Sequence, residues 1–134
     1  MSVRIFTLGG AGVVGSECVR ALLAHDDVSA VTIGDLDATK AHALADGLGD
    51  PRVAVAEVDV ADTGATAALV TGHDVLLSTL FWSSFGDALA VACRAGVDYA
   101  DVLSHPTAAH RRMARDAGIT AVSGLGASPG IGNV

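Results

Sequence analysis

The sequence predicts an α/β fold, a doubly wound parallel sheet of about six strands with helices on both faces. The 134 residues fit one domain, and 51% of them are hydrophobic while only 4% are aromatic. Short apolar runs alternate with segments in which apolar residues recur at helical spacing. Strands separated by helices of this size pair in parallel through right-handed crossovers.

The first half of the chain predicts three strands and three helices. The strands are expected at residues 3–8, 30–34 and 52–60. The first helix is expected from Val13 to about His25, with its apolar face at Val14, Cys18, Ala21 and Leu22. Asp37 caps the second predicted helix, which carries Ala41, Leu44, Ala45 and Leu48 on one face and is closed by Gly49 and Pro51. The third is expected over 63–70, ending at Gly72.

The second half repeats the alternation. Strands are expected at residues 74–80, 97–101 and 119–124. One helix is expected from about Phe85 to Ala95, stopped by Gly96, and another from Pro106 to Ala117, stopped by Gly118. Two βαβαβ halves joined near residue 72 are typical of a dinucleotide-binding sheet.

The charge balance argues against several partners. The formal net charge is −7 and Lys40 is the single lysine, which disfavours nucleic acid and anionic membranes. The cluster Arg111, Arg112 and Arg115 is interpreted as a solvated helix face.

The cysteines and histidines suggest neither a disulfide framework nor a metal site. Cys18 and Cys93 are interpreted as buried apolar side chains in a reducing cytoplasm. No signal peptide is apparent, and we expect a cytoplasmic protein. The histidines, none in an H-x-x-x-H pair, are His25, His42, His73, His105 and His110. His105, just after the fifth strand, could approach a ligand bound at that edge of the sheet or cap the next helix; we expect the others at the surface.

A glycine motif follows the first strand directly. Gly10, Gly12 and Gly15 form G-x-G-x-x-G at the start of the first helix. We expect a positive φ at Gly10, close approach of a pyrophosphate to Gly12, and close helix–strand packing at Gly15. The helix N-terminus would supply N–H groups and partial positive charge to the phosphates. This predicts a Rossmann-type nucleotide site.

Asp35 lies at the end of the second strand, 20 residues after Gly15. A carboxylate there accepts hydrogen bonds from both ribose hydroxyls and repels a 2′-phosphate, so NAD is favoured over NADP. The alternative is a loop carboxylate or helix cap. Asp59 has two equally weighted interpretations, adenine recognition and an exposed turn acid.

Ligands of such sheets bind where the strand order reverses. The expected cofactor contacts are Gly10, Gly12, Val13, Val14, Gly15, Asp35, Asp59, Val60, Thr79 and Leu80. The apolar loop at residues 80–86 would cover the cofactor or pack on a second domain, with Trp82 as an interface residue. Catalytic residues are not assigned. Asp101 is either a ribose- or substrate-side acid or a plain strand-end acid.

Several segments together resemble the saccharopine dehydrogenase family, including lysine 6-dehydrogenase-like enzymes. They are "GGAGVVG", "GDLD" (34–37), "DVLLSTL" (74–80), "ALAVACRAGVDYADV" (88–102) and "GLGASPGIGN" (124–133). A short-chain dehydrogenase is disfavoured, because that class uses a tyrosine with a lysine four residues on. The only tyrosine here is Tyr99, and position 103 is leucine. The resemblance departs at Ala127-Ser128, where the family often carries an aspartate before P-G, and in "FWSS", where the family commonly has a proline.

The resemblance implies a function and a domain plan. Residues 1–134 would be the NAD(H)-binding, N-terminal part of a two-domain oxidoreductase acting on a C–N bond of an amino acid or amine. Thr79, Leu80 and the segment around Tyr99, Asp101 and Ser104 would lie along the nicotinamide half. The substrate would be held by the second domain, and a homodimer is left open. The alternatives are a non-catalytic nucleotide-sensing module and a protein-interaction domain.

Overall fold

A computed structural model describes residues 1–126 of the chain. These residues form six strands and five α-helices in strict alternation, with a 3₁₀ turn over Trp82–Ser84 before the fourth helix. The strands are β1 (Val3–Leu8), β2 (Val28–Asp35), β3 (Val53–Glu57), β4 (Val75–Ser78), β5 (Asp98–Asp101) and β6 (Ala121–Val122). The helices are α1 (Val13–Leu23), α2 (Ala38–Leu48), α3 (Thr63–Val70), α4 (Phe85–Ala95) and α5 (Ala108–Ala117).

All six strands lie in one parallel sheet of order β3-β2-β1-β4-β5-β6. The order reverses between β1 and β4, which pair from Ile5↔Val75 to Leu8↔Ser78. The doubly wound α/β fold predicted from the sequence is confirmed. Its switch point lies at the carboxyl ends of β1 and β4, where open sheets of this type bind ligands.

The central strands are buried on both faces, which is why they read as continuous apolar runs. Phe6 and Leu8 of β1 point into a core shared with α3, α4 and α5. Ile5, one residue out of phase, points into the second core, shared with α1 and α2. The two-residue period of a strand therefore divides one hexapeptide between two cores.

Several predicted strands are shorter in the structure because their partners end. β3 stops at Glu57 rather than at residue 60, since Asp59 accepts a hydrogen bond from the Ala61 N–H and turns the chain. β4 stops at Ser78, and β6 is reduced to two residues that pair only with Tyr99 and Ala100. By contrast, β2 begins at Val28, two residues before the predicted start.

The predicted apolar face of α1 is right for Leu22, which packs against the second core, and wrong for Val14 and Ala21. Gly15 and Val19 are its buried residues, whereas Val14 is 51% exposed and Ala21 lies at the surface. Gly15 decides the orientation, because the helix lies directly on the glycine turn at that residue and no side chain could be accommodated there.

Cys18 is half-buried rather than buried, as is Cys93, and burial raises the pKa of both thiols.

Two predictions about histidines are corrected. Helix α5 begins at Ala108 with Thr107 as its N-cap, not at Pro106 with His105 as the cap. His110 completes a capping box with Thr107 and packs edge-on against Phe85. His73 is also half-buried, between Thr32 Oγ1 and the Val70 carbonyl, so neither His73 nor His110 is a solvated surface histidine.

Arg52 ties the end of α1 to the start of β2. Its guanidinium donates to the carbonyls of Leu23, His25 and Val28 at 2.6 to 3.2 Å and to the Asp50 carboxylate. Carbonyls at a helix C-terminus lack intrahelical partners, and a cation there also complements the helix dipole. Arg52 therefore fixes the spacing between α1 and β2.

Within residues 1–126, no helix is long and apolar enough to cross a bilayer.

We predict that Arg52→Ala lowers the melting temperature, whereas Arg112→Ala, on the exposed face of α5, leaves it within about 1 °C. The Arg52 hydrogen bonds hold the pKa of Asp50 below its usual value of 3.8. A carboxyl with a lowered folded-state pKa stabilises the fold above its unfolded pKa and loses that contribution as the pH falls. The difference in melting temperature between wild type and Arg52→Ala should therefore narrow from about pH 6 to about pH 3. A difference that widens on acidification would contradict this role of the ion pair.

Candidate nucleotide-binding site

The glycine turn between β1 and α1 is built from four glycines with distinct tasks. Gly9 has the positive φ, +72°, whereas the glycine motif predicts it at Gly10. Gly10 is constrained differently, because a Cβ there would overlap the Oγ1 of Thr7 and press on Ile33. Gly10 is therefore required by packing beneath the turn, and the conformational freedom is needed one residue earlier.

Gly12 and Gly15 support the predicted division of roles. A Cβ on Gly12 would meet only the Gly9 carbonyl, at 3.2 Å, and would otherwise project into open space above the turn. A Cβ on Gly15 would lie 2.8 Å from Gly10 Cα and would overlap the Gly9 carbonyl oxygen. Helix α1 thus begins in direct backbone contact with the turn, with its first residues facing the cleft.

No side chain caps the start of α1. Asp37, Asp62 and Thr107 cap helices α2, α3 and α5. The first-turn N–H groups of a helix have no intrahelical acceptor, so Val13, Val14 and Gly15 present free donors at the positive end of α1. Such an end binds phosphate or carboxylate oxygens.

Asp35 joins this helix end to the second strand. Its Oδ2 accepts a hydrogen bond from the Ala11 N–H at 3.0 Å, and its Oδ1 accepts one from the Asp37 N–H at 3.0 Å. Each carboxylate oxygen keeps a further lone pair. The carboxylate is thus held rigidly beside the glycine turn, with acceptor capacity left for a ligand's hydroxyl groups. Asp37, not Asp35, is the cap of α2, through the Lys40 N–H.

The switch point opens into a cleft with two halves, which share Gly9, Asp35 and Leu80. The half beside β3, about 320 Å³, is here called the adenosine half. It is also lined by Leu8, Leu36, Val58, Asp59, Val60, Ala61, Ser84 and Asp87. The half above α1, about 400 Å³, is called the nicotinamide half. It is also lined by Gly12, Val13, Val14, Gly15, Thr79, Phe81, Val102 and Leu103.

Nine of the ten cofactor residues expected from the sequence line this cleft. The exception is Gly10, which is buried beneath the turn and lines neither half. Thr79 lines the nicotinamide half, but its hydroxyl donates to the carbonyls of Leu8 and Gly9, so it also holds the turn in place.

Ten further residues line the cleft that are not among the ten expected cofactor contacts: Leu8, Gly9, Leu36, Val58, Ala61, Phe81, Ser84, Asp87, Val102 and Leu103. Apart from Leu8, which ends β1, and Asp87, which lies in α4, they come from segments after strand ends, and their positions depend on how each loop leaves the sheet. The sequence carries a usable signal for Leu36, an apolar residue between two acids at a strand end, and the structure leaves it 69% exposed. The loop at residues 80–86 contributes Leu80, Phe81 and Ser84, whereas Trp82 is outside the lining and 71% exposed.

Tyr99, Asp101 and Ser104 do not face the cleft. Each is at most 3% exposed, and they bond to one another beneath the ends of β4 and β5. The same segment borders the half of the cleft above α1 through Val102 and Leu103. His105 is exposed and lines neither half. The residues from Ala127 onward, including the departure at Ala127-Ser128, lie outside the described residues.

The part of the chain that the structure describes contains no cluster of histidine, cysteine and acidic side chains able to hold a metal ion. Apart from Asp35, the nicotinamide half is lined by uncharged residues. The geometry therefore fits an elongated ligand with phosphate oxygens at its centre, hydroxyl groups near Asp35 and, at one end, a group bordered mainly by uncharged side chains.

We predict opposite results from the same substitution at two glycines. Gly15→Ala should destabilise the fold by about 1–3 kcal/mol, because the new methyl group meets backbone atoms that cannot move aside easily. Gly47→Ala is the matched control: it lies inside α2, where a methyl group would meet nothing within 4 Å, and it should stabilise by about 0.5–1 kcal/mol. Urea unfolding followed by circular dichroism measures both. Equal effects of the two variants would contradict the close packing of α1 on the turn.

Comparison with solved structures supports the assignment of the fold. Saccharopine dehydrogenase (L-Glu forming) from Saccharomyces cerevisiae superposes with a TM-score of 0.82 at 26% identity, covering 98% of this chain and 29% of the yeast chain. The chain thus spans about a third of that relative's length. A dTDP-glucose 4,6-dehydratase from Streptomyces venezuelae, solved with NAD bound, superposes with a TM-score of 0.60 at 26% identity, covering 72% of this chain and 38% of the other.

Triphenylmethane reductase from Citrobacter sp., complexed with NADP(H), shares the fold at 18% identity, with a TM-score of 0.68, covering 89% of this chain and 48% of the other. The family described as "Saccharopine dehydrogenase NADP binding domain" matches residues 5–122, nearly the whole described chain. The match includes the glycine turn, Asp35 and both halves of the cleft. This chain belongs to the saccharopine dehydrogenase family and carries its nicotinamide-dinucleotide-binding domain.

Proposed function

We propose that this chain is the NAD(H)-binding domain of a longer oxidoreductase that acts on a C–N bond of an amino acid or amine. The observation that carries the proposal is the uncapped start of α1 beside the rigidly held Asp35, both opening into one cleft at the switch point. Family membership supports the oxidoreductase class. The C–N chemistry and the second domain are inferences from the family's name and from the length of the yeast relative.

The centre of the cleft fits the pyrophosphate. Gly12 leaves room for phosphate oxygens above the turn, and the N–H groups of Val13, Val14 and Gly15 are directed to that space. These donors are fixed by the backbone and require no rearrangement on binding. Gly10 takes part indirectly, because its lack of a side chain lets the turn sit on Thr7.

The adenosine half favours NAD over NADP, although the family description names NADP. Three carboxylates line it, Asp35, Asp59 and Asp87, and no lysine or arginine is among its lining residues. Asp35 can accept both ribose hydroxyls, whereas a 2′-phosphate placed there would face negative charge with no cation to compensate. Asp59 and Val60 would border the adenine, with Asp59 placed to accept from its amino group.

The nicotinamide half would hold the reactive ring. The bound cofactor supplies the hydride chemistry, and the protein supplies orientation and shielding from water. Thr79 and Leu80 form the floor at the end of β4, while Val13, Phe81 and Leu103 border the ring site with apolar side chains. No cation lines this half, so groups that bind a substrate carboxylate would come from elsewhere in the protein.

The mouth of the cleft is unusually apolar for a surface. Val13 and Phe81, which line it, are 90% and 79% exposed, and Trp82, next to Phe81, is 71% exposed. Exposed apolar groups of this size commonly mark an interface. We assign this rim to contact with the substrate-binding part of the enzyme, which would close the nicotinamide half. The remaining 71% of the yeast relative's length is consistent with such a part.

We predict that Asp35→Ala weakens NADH binding about tenfold and leaves NADPH binding within about twofold, so that the preference for NADH shrinks. Isothermal titration calorimetry of the 134-residue chain measures the four affinities. Asp46→Ala, an exposed acid on α2, is the matched control for loss of one negative charge and should change neither affinity. Tighter binding of NADPH than of NADH by the wild type would overturn the NAD preference.

The reaction class needs the full-length gene product. We expect that protein to reduce NAD⁺, seen as absorbance at 340 nm, with at least one member of a panel of secondary-amine amino acids and diamines. If the full-length protein binds NADH but turns over none of them in either direction, a nucleotide-sensing role replaces the catalytic one. If neither the chain nor the full-length protein binds NADH, the cofactor proposal itself fails.

A further inference from the structure

A buried polar cluster lies directly beneath the nicotinamide half of the cleft. It consists of Ser78, Tyr99, Asp101 and Ser104, each at most 3% exposed. Asp101 Oδ2 accepts hydrogen bonds from the Tyr99 hydroxyl at 3.0 Å and the Ser104 hydroxyl at 2.5 Å. Asp101 Oδ1 accepts one from the Gly124 N–H at 2.9 Å. None of these groups touches the cleft, so the cluster has no place in the binding scheme above.

The cluster joins the ends of three strands. Ser78 ends β4, immediately before the cleft residues Thr79 and Leu80. Asp101 ends β5, immediately before the cleft residues Val102 and Leu103. Gly124 follows β6, and the next N–H, that of Leu125, donates to the Asp101 backbone carbonyl at 2.9 Å.

Asp101 has no cation near enough to form an ion pair among the described residues. A carboxylate in that setting depends on hydrogen-bond donors for its stability, and here two hydroxyls and one backbone N–H supply them. Burial and the neighbouring Asp101 carboxylate raise the pKa of the Tyr99 phenol, so Tyr99 remains a proton donor. All three hydrogen bonds therefore have the same direction: the two hydroxyls and the Gly124 N–H donate, and the Asp101 carboxylate accepts.

We propose that Asp101 is a positioning residue for the nicotinamide half, setting Val102 and Leu103 against the ring site by holding the ends of β5 and β6 together. The inference rests on the proposed function, since it concerns the same cleft. The short edge strand makes this clamp necessary, because β6 pairs with β5 at only two residues. The carboxylate supplies the side-chain bond to Gly124, which adds to the backbone bond between the Leu125 N–H and the Asp101 carbonyl.

The geometry also explains why the acid lies at this strand end. Gly126 is packed so closely over Val102 that a Cβ there would lie 2.5 Å from the Val102 carbonyl oxygen. Asp101 holds the segment from Gly124 to Gly126 in that contact through two backbone N–H groups. The chain after β6 thus packs closely against Val102, which lines the cleft, and the Asp101 hydrogen bonds keep it in that position.

The test compares two ligands on one set of variants. NADH reaches both halves of the cleft, whereas ADP carries the adenosine and the pyrophosphate but no nicotinamide riboside. We expect Asp101→Ala to weaken NADH binding at least about tenfold while ADP binding stays within about twofold. Asp101→Asn should restore most of the NADH affinity, because its amide can accept from Gly124 and donate to the two hydroxyl oxygens.

Asp98→Ala is the matched control. Asp98 lies on the same strand and also ties it to the segment before β6, through the Thr120 N–H at 2.8 Å, but at the end far from the cleft. Its loss should leave the ratio of NADH to ADP affinity unchanged. Ser104→Ala removes one donor to Asp101 and should lower the ratio by a smaller factor, so the test survives if Asp101→Ala does not fold.

The possible results distinguish failure of the positioning role from failure of the proposed function. Equal loss of NADH and ADP affinity in the Asp101 and Ser104 variants, or no loss of either, would overturn the positioning role. A wild-type chain that binds neither ligand would instead overturn the proposed function. A drop in the NADH-to-ADP ratio confined to Asp101 and Ser104, with rescue by asparagine, supports the inference.

Discussion

The contact between Gly15 and the Gly9–Gly10 backbone is the constraint on which the rest of the site depends. A helix can begin this close to a preceding strand only where neither partner carries a side chain. That contact aims the first turn of α1 at the switch point, leaves its N–H groups free of a cap, and turns Gly12 toward open space. The same closeness determines which face of α1 is buried.

Around this contact the chain uses polar groups to fix strand ends. Asp35 fastens β2 to the turn through the Ala11 N–H, and the Thr79 hydroxyl fastens β4 to it through two carbonyls. Asp101 does the same for β5 and the segment after β6. Parallel strands end together at one edge, where the sheet's own hydrogen bonding stops, so the side chains that follow must hold the loops in place.

The proposed preference for NAD also rests on local chemistry. The adenosine half has three acids and no base among its lining residues, in a chain with one lysine. Two of the arginines serve other tasks: Arg52 caps α1 and Arg4 donates to the Gly72 carbonyl. The family description names NADP, so the proposed preference for NAD rests on the charges that line the cleft of this chain.

The sequence by itself determined the alternation of elements, the parallel sheet, the glycine turn and the acid at the end of β2. These depend on local spacing, on glycine's lack of a side chain and on the apolar runs of strands buried on both faces. Only the tertiary structure decided that Gly9 rather than Gly10 takes the positive φ, that Tyr99 and Asp101 face inward, and that Asp87 and Leu103 reach the cleft. Those features depend on which neighbour each side chain meets across the sheet, and a contact between residues distant in the chain leaves no periodic trace in the sequence.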